Sequence, residues 1–453
     1  MAKSTLYKNS WYKKRVLSKL TQRKMPPRGS LSLSASHMAV VTTAGDVLLA
    51  GTHDGKPIPL VRDPASVRGP VPVAAAFGSL DKKVRAIASR GCLLTMITDD
   101  GELLCSNAPG FLFKYRFSST AITQVALGHN FAAILVDTGH VFTYGYGRTC
   151  ALGHQDLDDR LTPTLVSALV GHVIVTVAAG VSCGAVSRAG RCFTWGKSHY
   201  GHLGHGGTER VLQPTPIAPS TLGDARVQGL ACGYTFMLAV CDEGERMFAW
   251  GGNRCGNMGV GDDGAVFLRP EAVDMRAFGG RAVRHVSCAA MHSVALTRCG
   301  AVYATGQGRY GALGRGDTRS SARFRRVELD TVVVDVSAAT YTSAALGDDG
   351  ALYTWGAGVL PVEDYAARRS QRLQEKNPYT TGVSRGIGTA LAPARYEGLP
   401  SMGRAAGTYL TDEKKLAFAM GLHPRLGRTP RGVSGVARLS EDVVRKIFAV
   451  YVW

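Results

Sequence analysis

The chain has 453 residues, of which 55 are glycine and 19% are charged, and a formal net charge of +19. Abundant glycine with modest charge fits a turn-rich all-β core. No apolar run reaches about 18 residues, which excludes a membrane-crossing helix, and no C-x-x-C pair is present, which excludes the usual paired-cysteine zinc site.

The charge is concentrated at the ends. Residues 1–30 carry nine Lys/Arg and no Asp/Glu, and residues 401–453 carry nine Lys/Arg against four Asp/Glu. The 31–400 segment is close to neutral for its size. The 1–30 arm interleaves aromatics (Tyr7, Trp11, Tyr12) with the basic run Lys13-Lys14-Arg15, and Met25-Pro26-Pro27 closes it as a linker. Four readings stay open for it. They are an arm that binds an anionic surface such as RNA, DNA or an acidic protein face, a nuclear localisation signal, a mitochondrial presequence, and a solvated tail. The aromatics favour the binding arm, because exposed Trp and Tyr side chains have apolar bodies to cover.

From residue 31 a unit recurs. Its elements are a strand, a second strand, a turn glycine, a third strand and a glycine-punctuated loop. The first two copies are plain: Ser36-His37-Met38-Ala39-Val40-Val41 leads to Gly45, and Leu93-Leu94-Thr95-Met96-Ile97 leads to Gly101. Between them Thr52 to Pro72 reads as a long Pro-rich rim loop.

The later copies are richer. The third turns at Gly139 and continues through Thr143-Tyr144-Gly145 to Ala151-Leu152-Gly153. The fourth turns at Gly190, then runs Trp195-Gly196 and Gly201-His202-Leu203-Gly204. The fifth turns at Gly244, then runs Trp250-Gly251 and Gly256-Asn257-Met258-Gly259. The sixth turns at Gly300, then runs Thr305-Gly306 and Gly311-Ala312-Leu313-Gly314. The seventh turns at Gly350 and reaches Trp355-Gly356. The seven turn glycines are spaced by about 50 residues, the range of propeller repeats. One unit cannot bury its own apolar face, and seven in a ring bury all of them.

Proline-containing stretches separate the units: Thr162-Pro163-Thr164, Gln213-Pro214-Thr215-Pro216 and Arg269-Pro270-Glu271. Proline suits an outermost strand, so each unit is expected to be a four-stranded blade with the proline strand at its rim. In the seventh unit a charged, helix-compatible stretch, about 359–384, interrupts the blade before the outer strand around Ala392-Pro393-Ala394. A solvated helix is the default reading of that insertion, and partner binding, with Arg368 and Arg369 as candidates, is the sharper alternative because insertions of that length in a compact domain are often functional. Residues 401–453 then form a basic helical extension. Thr411-Asp412-Glu413 opens one helix, Ser440-Glu441-Asp442 opens another, and Arg425 sits in the basic loop between them. The ten cysteines lie in or beside strands and read as buried reduced thiols of an intracellular protein.

Ala290-Met291-His292-Ser293-Val294-Ala295-Leu296, the three Trp-Gly pairs and the G-x-L-G loops resemble the regulator of chromosome condensation repeat family. The resemblance covers roughly residues 31–400 and implies an all-β, seven-bladed β-propeller. The family's repeat histidine stands at His37 and His292, and Phe131, Phe236 and Thr342 replace it elsewhere. The resemblance therefore reads as a divergent member.

No nucleophile–base pair, metal-ligand pairing or phosphate loop stands out, so no catalytic, cofactor or metal residue is expected. Gly306-Gln307-Gly308-Arg309-Tyr310-Gly311 fits G-x-G-x-x-G in letters but sits in a β repeat rather than at a strand-to-helix turn. His199, His202 and His205 flank loop glycines without a carboxylate or cysteine at ligand spacing. The leading expectation is a non-enzymatic scaffold that binds proteins through rim loops, anchored in a larger assembly by its basic arms. The partner-binding candidates are Tyr7, Trp11, Lys13, Lys14 and Arg15 in the arm, and Arg148, His199, Tyr200, Arg254, Arg309 and Tyr310 on the rim. Arg368, Arg369 and Arg425 complete the set. Two alternatives remain. The resemblance implies guanine-nucleotide exchange on a Ran-like small GTPase with chromatin binding. The Leu439–Phe448 stretch suggests a ubiquitin-ligase receptor helix. Cytoplasm, nucleus or cytoskeleton are the expected locations, with the mitochondrion as the other.

Overall fold

A computed structural model describes residues 31–356 and 390–396, apart from short stretches at 35–36, 42–44, 54–55, 58–70, 73–81, 92 and 107–112. The chain winds as seven antiparallel sheets, each a meander in which successive strands step outward. The first blade runs Leu31–Leu33, His37–Val41 and Val47–His53, with Lys56–Pro57 and Val71–Pro72 both pairing outside the third strand. The second runs Val84–Arg90, Leu93–Thr98, Leu103–Ser106 and Phe113–Tyr115. The third runs Ile122–Leu127, Phe131–Val136, Val141–Gly145 and Arg160–Leu165. The fourth runs Ile174–Ala179, Cys183–Ser187, Cys192–Gly196 and Val211–Pro216. The fifth runs Val227–Cys232, Phe236–Cys241, Arg246–Gly252 and Val266–Ala272. The sixth runs Val283–Cys288, His292–Thr297, Val302–Gly306 and Ser321–Val327. The seventh runs Val333–Ala339, Thr342–Gly347, Leu352–Gly356 and Ala390–Tyr396.

The seven-bladed expectation holds, and prolines 163, 214, 216, 270 and 393 fall on outermost strands. The last strand, Ala390–Tyr396, pairs with Leu352–Gly356 across the interruption read from the sequence. The 1–30 arm, the 357–389 stretch and the 397–453 tail lie outside the described residues. With them go Tyr7, Trp11, Lys13, Lys14, Arg15, Arg368, Arg369 and Arg425.

The core is divided into seven apolar clusters, each wedged between two neighbouring blades. The last joins Leu31, Leu33, Met38 and Val40 of the first blade to Val334, Ala344, Leu346 and Leu352 of the seventh. The ring closes there without strand exchange. Side chains of the seventh blade instead catch the first strand's backbone: Leu31 N–H donates to Asp335 Oδ2 at 3.1 Å and Leu33 N–H donates to Ser337 Oγ at 3.0 Å.

The seven turn glycines all adopt positive φ, between 78° and 90°. They also stitch blades together. A Cβ on Gly244 would lie 1.9 Å from the Val283 carbonyl of the next blade, and Val227 N–H donates to Gly190 O at 3.0 Å. The tryptophans stitch in the other direction. Trp195, Trp250 and Trp355 are fully buried, and each indole N–H donates to a carbonyl in the G-x-L-G loop one blade back. The acceptors are Ala151 O at 2.8 Å, His202 O at 3.0 Å and Ala312 O at 2.9 Å. The two sequence motifs are therefore the two halves of one inter-blade contact. In the sixth blade Thr305 stands where tryptophan would, and its Oγ1 donates to Gly256 O at 2.9 Å, while the Phe324 ring packs close to Gly259.

Candidate interaction face

In the third to sixth blades the third strand leads into a long loop on one face of the ring. Aligned on Gly145, Gly196, Gly251 and Gly306, these loops place Arg148, His199, Arg254 and Arg309 at the same repeat position in four consecutive blades. All four are exposed. Tight backbone geometry fixes the position: one-turn 3-10 segments span Gly147–Thr149 and Arg309–Gly311.

Tyrosines hold two of these arginines. The Arg254 guanidinium stands 5.1 Å over the Tyr200 ring, and its Nη2 donates to the Tyr200 hydroxyl at 3.2 Å. This contact crosses from the fifth blade to the fourth. Arg309 stands 4.9 Å over Tyr310, whose edge meets Tyr341 of the seventh blade at 5.2 Å. Stacking desolvates a guanidinium face while its in-plane N–H donors stay available. Among the described residues none of Arg148, His199, Arg254 and Arg309 is in an ion pair. Other charges of the same loops are paired, Arg160 with Asp156 at 2.6 Å and Arg315 and Arg319 with Asp317 at 3.3 and 2.9 Å, as are turn charges on the opposite face such as Lys82 with Glu102 at 2.8 Å and Lys83 with Asp46 at 2.8 Å.

The same face opens into the central channel, where the ends of the innermost strands and the loops that follow them enclose a cavity of about 750 Å³. All seven blades contribute to its wall. Arg90 and Tyr234 line it, and neither stood out in the sequence. An arginine at the channel end of the inner strand Val84–Arg90 was the available signal, and Arg85 in the same strand makes it a weak one. His129 also lines the cavity, and burial together with the like charges of Arg90 and Lys197 holds its imidazole below the ordinary range.

The histidine cluster of the fourth blade does not converge. His199 is exposed, whereas His202, expected on the rim, is buried with its Nε2 2.9 Å from Ser182 Oγ. His205 Nε2 lies 3.0 Å from Thr194 Oγ1. Among the described residues no three or more His, Cys, Asp or Glu side chains gather as metal ligands. The described cysteines are free thiols, and burial raises those of Cys183, Cys192 and Cys232 well above the usual range. Cys299 departs from the buried expectation: it sits exposed in the sixth blade's turn. No described helix is long and apolar enough to cross a membrane.

The regulator of chromosome condensation (RCC1) repeat model matches residues 138–186, 189–240 and 245–296. Each matched repeat begins at a turn and ends in the second strand of the next blade, so the family repeat is the inter-blade unit described above. The ultraviolet-B receptor UVR8 of Arabidopsis thaliana is 35% identical over 236 residues, 51% of this chain and 52% of that protein. The E3 ubiquitin-protein ligase HERC2 of Homo sapiens is 33% identical over 241 residues, 52% of this chain but 5% of that protein. The chain thus spans about half of the first relative and a small part of the second. Among solved structures, Prp20p of Saccharomyces cerevisiae, studied for its binding to Gsp1p and histones, superposes with a TM-score of 0.60. Its sequence is 19% identical, and the match covers 86% of this chain and 94% of that one. At that identity the likeness concerns the fold.

Proposed function

Because the chain belongs to the RCC1-repeat family as a divergent member, we propose that it is a non-enzymatic scaffold that seats an acidic surface of a protein partner on its arginine-bearing face. One observation carries this reading. Four consecutive blades present a basic residue at one repeat position, and none of the four is in an ion pair among the described residues. Stacking on tyrosine rings holds Arg254 and Arg309 in place with their in-plane N–H donors open to a partner. Arg and Tyr are also the residue types that dominate binding energy at protein interfaces. The basic 1–30 and 401–453 ends would add a second, salt-sensitive anchor within a larger assembly. Free thiols fit a reducing compartment, and we place the protein inside the cell.

Exchange on a small GTPase is the competing reading. It has support from Prp20p, but that likeness lies in the fold, and the face described here is basic where a scaffold for an acidic partner needs it to be.

The test is a tagged pull-down from native cells at low and moderate salt, using the full chain, a chain lacking residues 1–28, and the triple variant Arg148→Glu, Arg254→Glu, Arg309→Glu. The proposal expects one assembly, depleted by the triple variant and released by salt. Recovery of every partner by the triple variant would overturn it. Recovery of a small GTPase that is insensitive to these changes would move exchange to first place.

A further inference from the structure

Among the described residues, the channel mouth carries a positive charge with no carboxylate beside it. Arg90 closes the second blade's inner strand and lines the 750 Å³ cavity. Among the described residues its side chain makes one hydrogen bond, a long one: Nη1 donates to Leu127 O at 3.5 Å. A guanidinium has five N–H donors and stays protonated in proteins. Among the described residues no carboxylate lines the cavity, and none pairs with Arg90. Much of the remaining wall is small or apolar, as at Leu33, Ala132, Ala289 and Ala338. Charge placed at the bottom of a concave, low-dielectric wall is focused outward and attracts the opposite sign.

The volume lies in the range of ligand pockets and is large enough for a short extended segment. The chemistry of the wall narrows the class. Nucleic-acid grooves follow a phosphate backbone with a row of cations and with aromatic platforms. This cavity offers one guanidinium, one flanking imidazole at His129, the Tyr234 ring and hydroxyls such as Ser89 and Ser337 among largely apolar walls, with no row of cations among the described residues. That set suits a carboxylate on an aliphatic stem, held by the planar fork of Arg90. The chain's own basic arm has the wrong sign to fill it. The thiols at the rim do not interfere, since burial pushes Cys288 up to about 12 and raises Cys232 well above the usual thiol range, keeping both neutral.

We propose that the channel mouth is a socket for an acidic side chain carried on an extended segment of the protein partner, with Arg90 forming the paired hydrogen bonds to its carboxylate. This rests on the same face being the one that engages the partner, but it can be measured without that partner.

The probe is an N-terminally fluorescein-labelled Gly-Gly-Glu-Glu-Gly-Gly amide titrated against the full chain by anisotropy. Its Gln-for-Glu counterpart and its free-acid form run in parallel, and inorganic phosphate serves as competitor. The expected result is saturable 1:1 binding by the Glu amide. It should weaken about tenfold or more with the Gln peptide and again with Arg90→Gln, be partly restored by Arg90→Lys, and stay within about twofold with Arg188→Ala, exposed in a turn on the opposite face. Amide hydrogen exchange on the unmodified chain gives a second reading that does not depend on the variants folding. Protection by the Glu peptide is expected at residues 127–132 and 232–234. Equal binding of Glu and Gln peptides, binding confined to the free-acid form, full displacement by millimolar phosphate, or an intact affinity in Arg90→Gln would each overturn the socket. Undiminished partner recovery in the rim variants with peptide binding intact would count against the rim alone. The reverse pattern would count against the socket alone.

Discussion

His292 Nε2 lies 2.8 Å from Ser343 Oγ, 51 residues later and one blade further round the ring. Ser343 Oγ in turn donates to Ala312 O at 3.0 Å, and that carbonyl also accepts the Trp355 indole N–H at 2.9 Å. The serine's one proton is committed to Ala312, so the bond from His292 must be donated by an Nε2–H imidazole. Three separate repeat motifs thus meet at one carbonyl between the sixth and seventh blades. Ser343→Ala strands the buried His292 donor and should cost about 1–3 kcal/mol in urea unfolding. Adding His292→Phe should restore part of that loss, because Phe131 and Phe236 fill the equivalent place in other blades and removing both partners leaves nothing unpaired. A double variant that is additive would remove this assignment.

The same histidine makes stability depend on pH. Burial lowers His292 to about 4, and burial with the nearby His199 lowers His202 to about 4. In the unfolded chain both return to about 6.5, so between those values the unfolded state binds more protons. Stability contributed by the neutral imidazoles is therefore complete above about pH 6.5 and declines as pH falls toward 4. Each group is worth about 3 kcal/mol across the whole window, of which about 2 kcal/mol is lost by pH 5. Urea midpoints at pH 7.5 and pH 5.0 should differ accordingly, and His292→Gln should flatten the difference. An unchanged pH slope in that variant would show that other groups set it.

The tryptophans supply the next expectation. Trp355→Phe keeps most of the buried ring but deletes the donor to Ala312 O, leaving that carbonyl to Ser343 alone. The cost should be about 1–2 kcal/mol, against about 3–5 kcal/mol for Trp355→Ala, which opens a cavity in the cluster joining the sixth and seventh blades. Thermal unfolding of the two variants should keep that order.

Much of this was legible in the sequence, for a definable reason. The turn glycines, the Trp-Gly pairs and the G-x-L-G loops are constrained by backbone conformation or by contact with a neighbouring copy, so they recur at fixed spacing. Gly244 and Trp250 could be found as members of a series. The rim set was legible in the same way, since Arg148, His199, Arg254 and Arg309 share a register. Arg90 was not, because its role comes from the ring's closure: seven strand ends meet around it, and no linear pattern records that meeting. Tyr341 was missed for the same cause, as its contact with Tyr310 runs between blades. His202 was misplaced on the rim because its loop neighbours are exposed, whereas its ring turns inward to Ser182.

Turn glycines should not all tolerate alanine equally. Gly244 has φ of 90° and would drive a Cβ into the Val283 carbonyl, so Gly244→Ala combines left-handed strain with a backbone clash. Gly280 has φ of 74° with nothing within 4 Å of a Cβ, so Gly280→Ala meets the strain alone. About 1–2 kcal/mol is expected for Gly280→Ala, and about 2–5 kcal/mol for Gly244→Ala. Similar denaturation midpoints for the two would argue that the blade contact at Gly244 yields easily.

The rim arginines make the final expectation quantitative. Arg148, Arg254 and Arg309 are exposed and in no ion pair among the described residues, so each reversal to Glu should shift stability by no more than about 0.5 kcal/mol. Their effect should appear in association instead. Rim charges act mainly on association rate and salt dependence, so each reversal of a residue that faces an acidic partner should slow association and flatten its salt dependence. A partner that lies across several blades should respond to all three reversals, with log affinity falling step by step as they accumulate. A partner seated on one blade should respond to one reversal only. Association rates of the recovered partner with the single, double and triple variants at two salt concentrations separate these cases. Rates that ignore all three would place the contact elsewhere on the ring.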